Sequence, residues 1–281
     1  MIKVGLSYLK KVIMVLFAVP VLVAGLTACG FRGVNPQGRD AQVQDIQVQD
    51  AQPPDGYISI NGELYSTSLT VLHLSRMGLE DDDIIPLQYM VNLKELRLGD
   101  NRISDLSPLS GLTSLTELWV HGNNISDLTP LSDLGNITYL VLNNNRIEDL
   151  TPISGFVGLS YLSIALNPIE DLTPIANLTN LTGFNMFNGL ITDLSPLSNL
   201  TNLTELSVYG GQVRNLEPLS NLVSLTELNL NWNQVDDLTP LSVLSELAIL
   251  YAEHNQISDW SPVVHVNSVD RGPKWVPTPD S

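Results

Sequence analysis

One stretch decides the fold: Val91-Asn-Leu-Lys-Glu-Leu-Arg-Leu-Gly-Asp-Asn-Arg-Ile-Ser-Asp-Leu-Ser-Pro-Leu-Ser-Gly-Leu112. The next copy of this unit begins at Thr113, so the repeat has a period of 22 residues. An asparagine recurs at Asn101, Asn123, Asn145, Asn167, Asn233 and Asn255. A proline recurs at Pro108, Pro130, Pro152, Pro174, Pro196, Pro218, Pro240 and Pro262. A fixed period of this length predicts a solenoid, in which one small unit is stacked many times.

Apolar and polar residues alternate in the first part of the unit. Leu96 and Leu98 alternate with Glu95, Arg97 and Gly99, which predicts a short strand with leucines on one face and the other three residues exposed. One such strand cannot bury its leucines alone. The repeats are therefore expected to stack in parallel around a continuous column of leucines.

The second part of the unit predicts a turn and a short helical segment. Asn101 follows the strand, where a buried amide can satisfy the backbone groups of neighbouring turns. Ser107-Pro108 is interpreted as an N-cap followed by proline at the first helical position, where the missing N–H is harmless. We therefore expect each repeat to return through a single short helical turn on the convex side.

Taken together, these positions form the pattern L-x-x-L-x-L-x-x-N-x-I-x-D-L-[ST]-P-L-x-x-L, which resembles a leucine-rich repeat. Its 22-residue form is most similar to internalin-like proteins of bacterial surfaces, and the resemblance covers most of the chain. The resemblance implies an α/β solenoid: a horseshoe with a parallel concave β-sheet and short 3-10 turns on the convex side. It also implies protein recognition, including adhesion to another cell.

The N-terminus has the order of a secretory signal. Three lysines precede an apolar run from Val12 to Gly25, which is too short to span a membrane comfortably. Leu26-Thr-Ala-Cys29 follows and resembles the lipobox of bacterial lipoproteins. Residues 1–28 are therefore predicted to be a lipoprotein signal peptide, and Cys29 the lipidated first residue of the mature chain. The alternative is an ordinary cut near Ala28 that leaves a free thiol.

The rest of the chain divides into four predicted segments. Residues 29–56 carry the lipidated cysteine and a polar, near-repetitive tether. Residues 57–68 are predicted to form an N-terminal cap hairpin, because Asn61-Gly62 is a preferred two-residue turn. Nine repeats follow at 69–266, and residues 267–281 are expected to be a C-terminal cap and tail.

Composition and motifs exclude several function classes. The chain of 281 residues carries a formal charge of −17, and loss of residues 1–28 leaves 10 basic against 30 acidic residues, or −20. Such a body repels nucleic acid, so we expect no nucleic-acid binding. The single cysteine and four scattered histidines offer neither a catalytic triad nor a zinc site. An enzyme is not expected, nor is any cofactor or metal ion, and the protein is expected to be a monomer.

Stacked strands place equivalent residues in columns about 4.8 Å apart, and the columns that contain Glu95, Arg97 and Gly99 form what we call the concave face. Aromatic side chains recur there. Such rings can anchor a protein partner, or they can shield one another and stabilise the sheet. The candidate ligand-binding residues are Arg97, Trp119, His121, Tyr139, Tyr161, Asn185, Phe187, Tyr209, Trp232 and Tyr251.

Two further features invite a functional reading. An aspartate column, from Asp105 to Asp259, precedes the helical turns, where satisfaction of backbone N–H groups is favoured over metal binding. The asparagine ladder is interrupted at Gly189 and Gly211, which indicates either a tolerated gap or a backbone shaped for a ligand.

The sequence therefore predicts a lipid-anchored repeat protein on the extracytoplasmic side of a cell membrane, at the cell surface or in a periplasm. Its concave face is expected to recognise a protein. An anchored glycan-binding module and an envelope scaffold are the alternatives, since aromatic and asparagine-rich faces also suit sugars.

Overall fold

The computed structural model describes residues 56–187 and 190–271. Two antiparallel strands, β1 (Tyr57–Ile60) and β2 (Glu63–Ser66), precede ten parallel strands in one sheet. The ten are β3 (Val71–His73), β4 (Glu95–Arg97), β5 (Glu117–Trp119), β6 (Tyr139–Val141), β7 (Tyr161–Ser163), β8 (Gly183–Phe187), β9 (Glu205–Tyr209), β10 (Glu227–Asn229), β11 (Ile249–Tyr251) and β12 (Ser268–Asp270). Sheet order follows chain order, which confirms the predicted leucine-rich-repeat solenoid.

The hairpin β1–β2 turns at Asn61 and Gly62, both with positive φ. These φ values suit the tight two-residue turn that the pair favours in sequence. Ile58 and Ile60 point into the core and are almost fully buried, so the hairpin covers the start of the solenoid's leucine column.

The core is a column of aliphatic side chains that runs through the described repeats. Leu96, Leu118, Leu140 and Leu162 lie directly opposite one another in successive strands and are fully buried. Each leucine therefore touches the repeats on both sides, and burial of this column is the main source of stability.

Each strand returns through a short helix on the opposite side. The 3-10 helices are Ile85–Tyr89, Ser107–Leu109, Thr129–Leu131, Thr151–Ile153, Thr173–Ile175, Ser195–Leu197, Glu217–Leu219, Thr239–Val243 and Ser261–Val263. The first is preceded by a four-residue α-helix, α1 (Asp81–Ile84), whose Asp81 carboxylate accepts hydrogen bonds from the backbone of Ser104 and Asp105. The acidic run at the start of the repeats therefore braces the next repeat.

The predicted N-cap role of Ser107 and its equivalents is wrong. Ser107 is the first residue of its 3-10 helix, Leu106 precedes it, and no side chain of the capping position accepts a bond. The Asp105 carboxylate instead accepts the Ser107 N–H at 2.8 Å. This aspartate position lies two residues before the helix, where its short side chain reaches the free N–H while the adjacent proline needs no acceptor. The predicted role of the aspartate column in satisfying backbone N–H groups is thus confirmed.

The asparagine ladder has the predicted structural role, as Asn145 illustrates. Its Nδ2 donates to the carbonyls of Val120 and Leu142 at 3.0 and 2.9 Å, and its Oδ1 accepts the Ile125 N–H at 3.1 Å. The side chain is 8% exposed. One amide therefore satisfies three buried backbone groups, two of them in the preceding repeat.

The sheet changes where the ladder residue is absent. Strands β8 and β9 have five residues instead of three, and their pairing continues to Met186↔Val208 and Phe187↔Tyr209. Gly211 occupies the ladder position of this repeat, and a Cβ there would lie 2.9 Å from Asn233 Oδ1. Gly189, the other predicted gap, lies outside the described residues.

The C-terminal end of the sheet is β12, which pairs in parallel with β11 and packs Val269 against the core. In the part of the chain that the structure describes, no helix has the length and apolar character needed to cross a bilayer.

Candidate functional site

The exposed strand positions form three rows that cross the sheet, in the register that the 22-residue period predicts. Glu95, Glu117, Tyr139 and Tyr161 follow one another in the first row. We call the concave-face residues of β3 to β7 the N-terminal half. The C-terminal half comprises those of β8 to β11 and the turn residues that follow them.

In the N-terminal half, charged and aromatic side chains form an unbroken series of contacts. The Glu95 carboxylate accepts hydrogen bonds from His73 Nε2 at 2.7 Å and Arg97 Nε at 2.8 Å. The Arg97 guanidinium lies 4.2 Å from the centre of the Trp119 ring. Trp119 then contacts Tyr139 at 5.0 Å between ring centres. Each of these side chains is thus satisfied by its neighbours.

The series continues to the end of β7. The Tyr139 and Tyr161 rings are stacked, with centres 4.4 Å apart and an interplanar angle of 10°. A Cβ at Gly183 would lie 2.7 Å from the Tyr161 ring, so the next position has no room for a side chain. All these rings are half-buried.

The charge of Glu95 in the N-terminal half is balanced locally. The hydrogen bond from His73 and the pairing with Arg97 hold the pKa of Glu95 below its usual value. Burial, with the neighbouring Tyr161, raises the pKa of the Tyr139 hydroxyl, which therefore stays protonated at neutral pH.

In the third row of this half, neighbouring side chains pack against one another and form hydrogen bonds. The His121 ring covers Gly99, and its Nε2 lies 3.9 Å from Asp100 Oδ2. Asn143 Oδ1 accepts hydrogen bonds from Ser163 Oγ and the Ala165 N–H at 2.7 and 2.8 Å. Among the described residues, the buried His121 Nδ1 has no hydrogen-bond partner, so this row is packed but not fully satisfied.

The C-terminal half contains an open depression of about 360 Å³, lined by Phe187, Tyr209, Gly210 and Trp232. Phe187 and Tyr209 meet edge to face with ring centres 4.7 Å apart. Gly210 has positive φ, and a Cβ there would lie 2.6 Å from the Phe187 ring. The longer strands β8 and β9 and this glycine together form the floor and one wall of the depression.

Trp232 forms the other wall in a conformation that is costly for its residue type. Its φ is +59°, and its side chain is 51% exposed. Large side chains are uncommon in this left-handed region, where the repeats also place residues such as Asp100, Gly122 and Asn144. Its ring stacks on His254 with centres 3.8 Å apart. A large apolar side chain is thus held outward on a left-handed backbone, as Leu166 is three repeats earlier.

The predicted site residues separate into the two halves. Arg97, Trp119, Tyr139 and Tyr161 are brought together in the N-terminal half, and His121 lies beside them. Phe187, Tyr209 and Trp232 are brought together in the C-terminal half, where Asn185 donates to Ser163 Oγ at 3.2 Å. Tyr251 is half-buried opposite Asn229. Cys29 lies outside the described residues.

Sequence reasoning missed two members of the C-terminal half. Gly210 lines the depression, and His254 supports the Trp232 ring. It also missed the exposed Leu166, which occupies the turn position equivalent to Trp232 three repeats earlier. The period offered a signal, because His254 lies 22 residues after Trp232. Within residues 56–187 and 190–271, no cluster of side chains could hold a metal ion.

The repeats match models of known families. A model of paired leucine-rich repeats matches residues 91–133 and 135–177, and a single-repeat model matches 221–238. An internalin (inlF) from Listeria monocytogenes is 31% identical, with 68% of this chain and 71% of that one covered and a TM-score of 0.54. Internalin C2 from the same organism is also 31% identical, covering 75% and 86%, with a TM-score of 0.54.

The chain belongs to the internalin-like leucine-rich-repeat proteins. A leucine-rich-repeat protein of Leptospira interrogans, 20% identical over 65% of this chain and 56% of that one with a TM-score of 0.56, shares the fold. No curated protein sequence matches the chain significantly. Internalin-like proteins are surface or secreted proteins and are typically non-enzymatic, and family membership supports protein–protein recognition as the general role.

Proposed function

We propose that this internalin-like protein recognises a protein partner through its concave face. The observation that carries the proposal is the depression between Phe187, Tyr209 and Trp232, where large rings stand open on a rigid parallel sheet. Rings that are fixed by the backbone lose little conformational entropy when they are covered, so each can anchor a partner. The strained backbone at Trp232 supports this function, since exposure of that ring has a cost to folding.

The experiment is a quantitative pull-down with the full-length protein in mild detergent, from labelled surface proteins of foreign cells and from the producer's own envelope. We expect one protein to be captured by the wild type and lost with Trp232→Ala or Tyr209→Ala, each weakening binding by at least about 1 kcal/mol. Asp149→Ala, on the opposite side of the repeat, is the control that should leave capture unchanged. Capture by the ring variants at the wild-type level would contradict the proposal.

A glycan-binding module is the second candidate, and the exposed Trp232 ring beside the Asn231 amide favours it, since sugars stack on aromatic faces and bind amides. A glycan array probed with the same variants separates the two functions. Binding to a glycan that requires Trp232, without any captured protein, would establish the second candidate. Capture restricted to the producer's own envelope would indicate a scaffold instead.

The anchor is proposed from the N-terminal sequence. Leu26-Thr-Ala-Cys29 places the chain's single cysteine at the position that lipoprotein processing modifies. We expect Cys29→Ser to prevent processing, leaving either a released protein or an uncleaved precursor. Mature protein of normal size in the membrane fraction of the variant would refute lipid anchoring at Cys29.

A further inference from the structure

The two halves of the concave face differ in how their glutamates are paired. Glu95 and Glu117 lie opposite each other in β4 and β5, and Glu95 forms an ion pair with Arg97 and a hydrogen bond with His73. Glu205 and Glu227 lie opposite each other in β9 and β10 in the same way. Among the described residues neither of this second pair has an ion-pair partner. Like charges in direct register are unfavourable, and a cation between them would relieve the repulsion.

The C-terminal half supplies no cation of its own. The exposed positions of its three rows, from Gly183 in β8 to Glu253 after β11, contain neither lysine nor arginine. Arg214 pairs with Asp236 away from these rows. Three glutamates therefore face outward from this half without a balancing charge.

These glutamates lie at defined spacings from the aromatic depression. Glu253 shares the row of Phe187 and Tyr209, and its carbonyl accepts the Trp232 N–H at 2.9 Å. It is two strands from Tyr209, or about 10 Å. Glu205 precedes Tyr209 by four residues along β9, which corresponds to ~13 Å. An extended peptide covers the second distance in about four residues.

We propose that the C-terminal half binds an extended basic segment of the partner protein. An aromatic or large aliphatic side chain of the segment fills the depression between Tyr209 and Trp232. One arginine or lysine pairs with Glu253, and a second, about four residues from the apolar anchor, lies between Glu205 and Glu227. This inference rests on the proposed function and adds the chemical class of the partner.

Charge decides between this occupant and others. A second copy of the chain carries a formal charge of −17 and would be repelled, as would an anionic lipid headgroup or a nucleic acid. A neutral sugar could stack on Trp232 but would leave Glu205 and Glu227 opposed and unpaired. A basic segment is the occupant that uses both the rings and the glutamates.

The test measures binding of synthetic nine-residue peptides to the full-length protein in mild detergent. The probe has one phenylalanine, an arginine two residues to one side and an arginine four residues to the other; the control peptide has glutamine at both arginine positions. We expect the probe to bind at least about tenfold more tightly than its control, with an affinity that falls as NaCl is raised.

Protein variants locate the contacts. Combined Glu205→Gln and Glu227→Gln should weaken probe binding about tenfold and flatten its salt dependence, and Trp232→Ala should weaken both peptides. Glu148→Gln, an exposed glutamate after the ladder turn, is the matched control and should have no effect. Equal binding of probe and control, absence of binding by either, or insensitivity to the double substitution would overturn the inference.

Other results would identify a different occupant of this surface or reject the proposals. Residues 272–281 include Lys274 and Trp275, so this tail also offers a cation and an aromatic ring. The probe is therefore also measured against a variant that ends at Arg271. If this variant binds the probe more than tenfold better than the full chain, the tail is the occupant of the surface. If the peptide results fail while protein capture still requires Trp232, only the basic-segment inference falls. If capture itself is insensitive to Trp232, the proposed function falls with it.

Discussion

The two halves of the concave face begin from the same strand register but use their side chains differently. In the N-terminal half, Arg97 joins Glu95 to Trp119, and each ring contacts the next. In the C-terminal half, Trp232 stands half exposed at a positive φ, and Glu205 lies opposite Glu227 with no ion-pair partner among the described residues. Aromatic residues on a repeat surface can therefore stabilise the sheet in one place and remain open for a partner in another.

The largest expected difference in stability concerns the turn that follows each strand. Asn145→Ala, in the turn that follows β6, removes bonds to three buried backbone groups and should cost about 3 kcal/mol in the free energy of unfolding. Gly211→Asn restores the ladder residue in the turn that follows β9, yet it should destabilise by about 1 kcal/mol, because its Cβ would lie 3.1 Å from the Ile191 carbonyl. Urea unfolding measures both. A stabilised Gly211→Asn would mean that the two halves share one turn geometry.

A pair of tryptophans tests the division of roles. Trp119→Ala removes contacts with Arg97 and Tyr139 and should cost about 1–2 kcal/mol in the free energy of unfolding.

Trp232→Gly should change the stability by less than about 0.5 kcal/mol, because relief of the left-handed backbone offsets the lost stacking on His254 and the added freedom of glycine. Thermal or urea unfolding of the two variants measures both changes in stability. Equal losses of unfolding free energy in Trp119→Ala and Trp232→Gly would contradict the distinction between a stabilising N-terminal half and an open C-terminal half.

The aspartate column, on the opposite side of the repeats, should respond to acid equally along the solenoid. The hydroxyl and backbone N–H of Thr151 lower the pKa of Asp149, and those of Thr239 lower the pKa of Asp237. Because these folded-state values lie below the unfolded value of about 3.9, the stabilisation is present above that pH and is lost as pH falls through the folded pKa.

Asp149→Asn and Asp237→Asn should each reduce the difference between urea midpoints at pH 7 and pH 3 by a small and similar amount. The asparagine keeps an acceptor for the helix N–H but does not titrate, as Asn215 shows by accepting the Glu217 N–H. If only one of the two variants reduced this difference between midpoints, the acid response would depend on which half of the concave face the repeat carries.

The sequence predicted the features that depend on period alone. The recurrence of Asn101 and Leu96 predicted the register, the ladder and the buried column, because stacked copies repeat the same backbone contacts. The sequence did not predict the extension of β8 and β9, since the pairing of Met186 with Val208 and of Phe187 with Tyr209 is specific to these two repeats and is not part of the period. Nor did it separate Trp119 from Trp232, whose difference depends on the φ angle and on neighbouring side chains.

The role of the N-cap was misassigned for a similar local reason. Ser107 and Asp105 both precede the helix, and both residue types can accept a backbone hydrogen bond. The position of the free N–H group determines which of the two residues accepts the hydrogen bond. In the structure the Ser107 N–H donates to Asp105.

Hydroxyl-radical footprinting of the full-length protein, with and without the captured surface protein, tests the division of the concave face most directly. Oxidation of Trp232 and Tyr209 should fall several-fold in the complex, whereas oxidation of Trp119 and Tyr139 should stay nearly constant. Protection of Trp119 and Tyr139 with unchanged oxidation of Trp232 would contradict the account and place recognition on the N-terminal half.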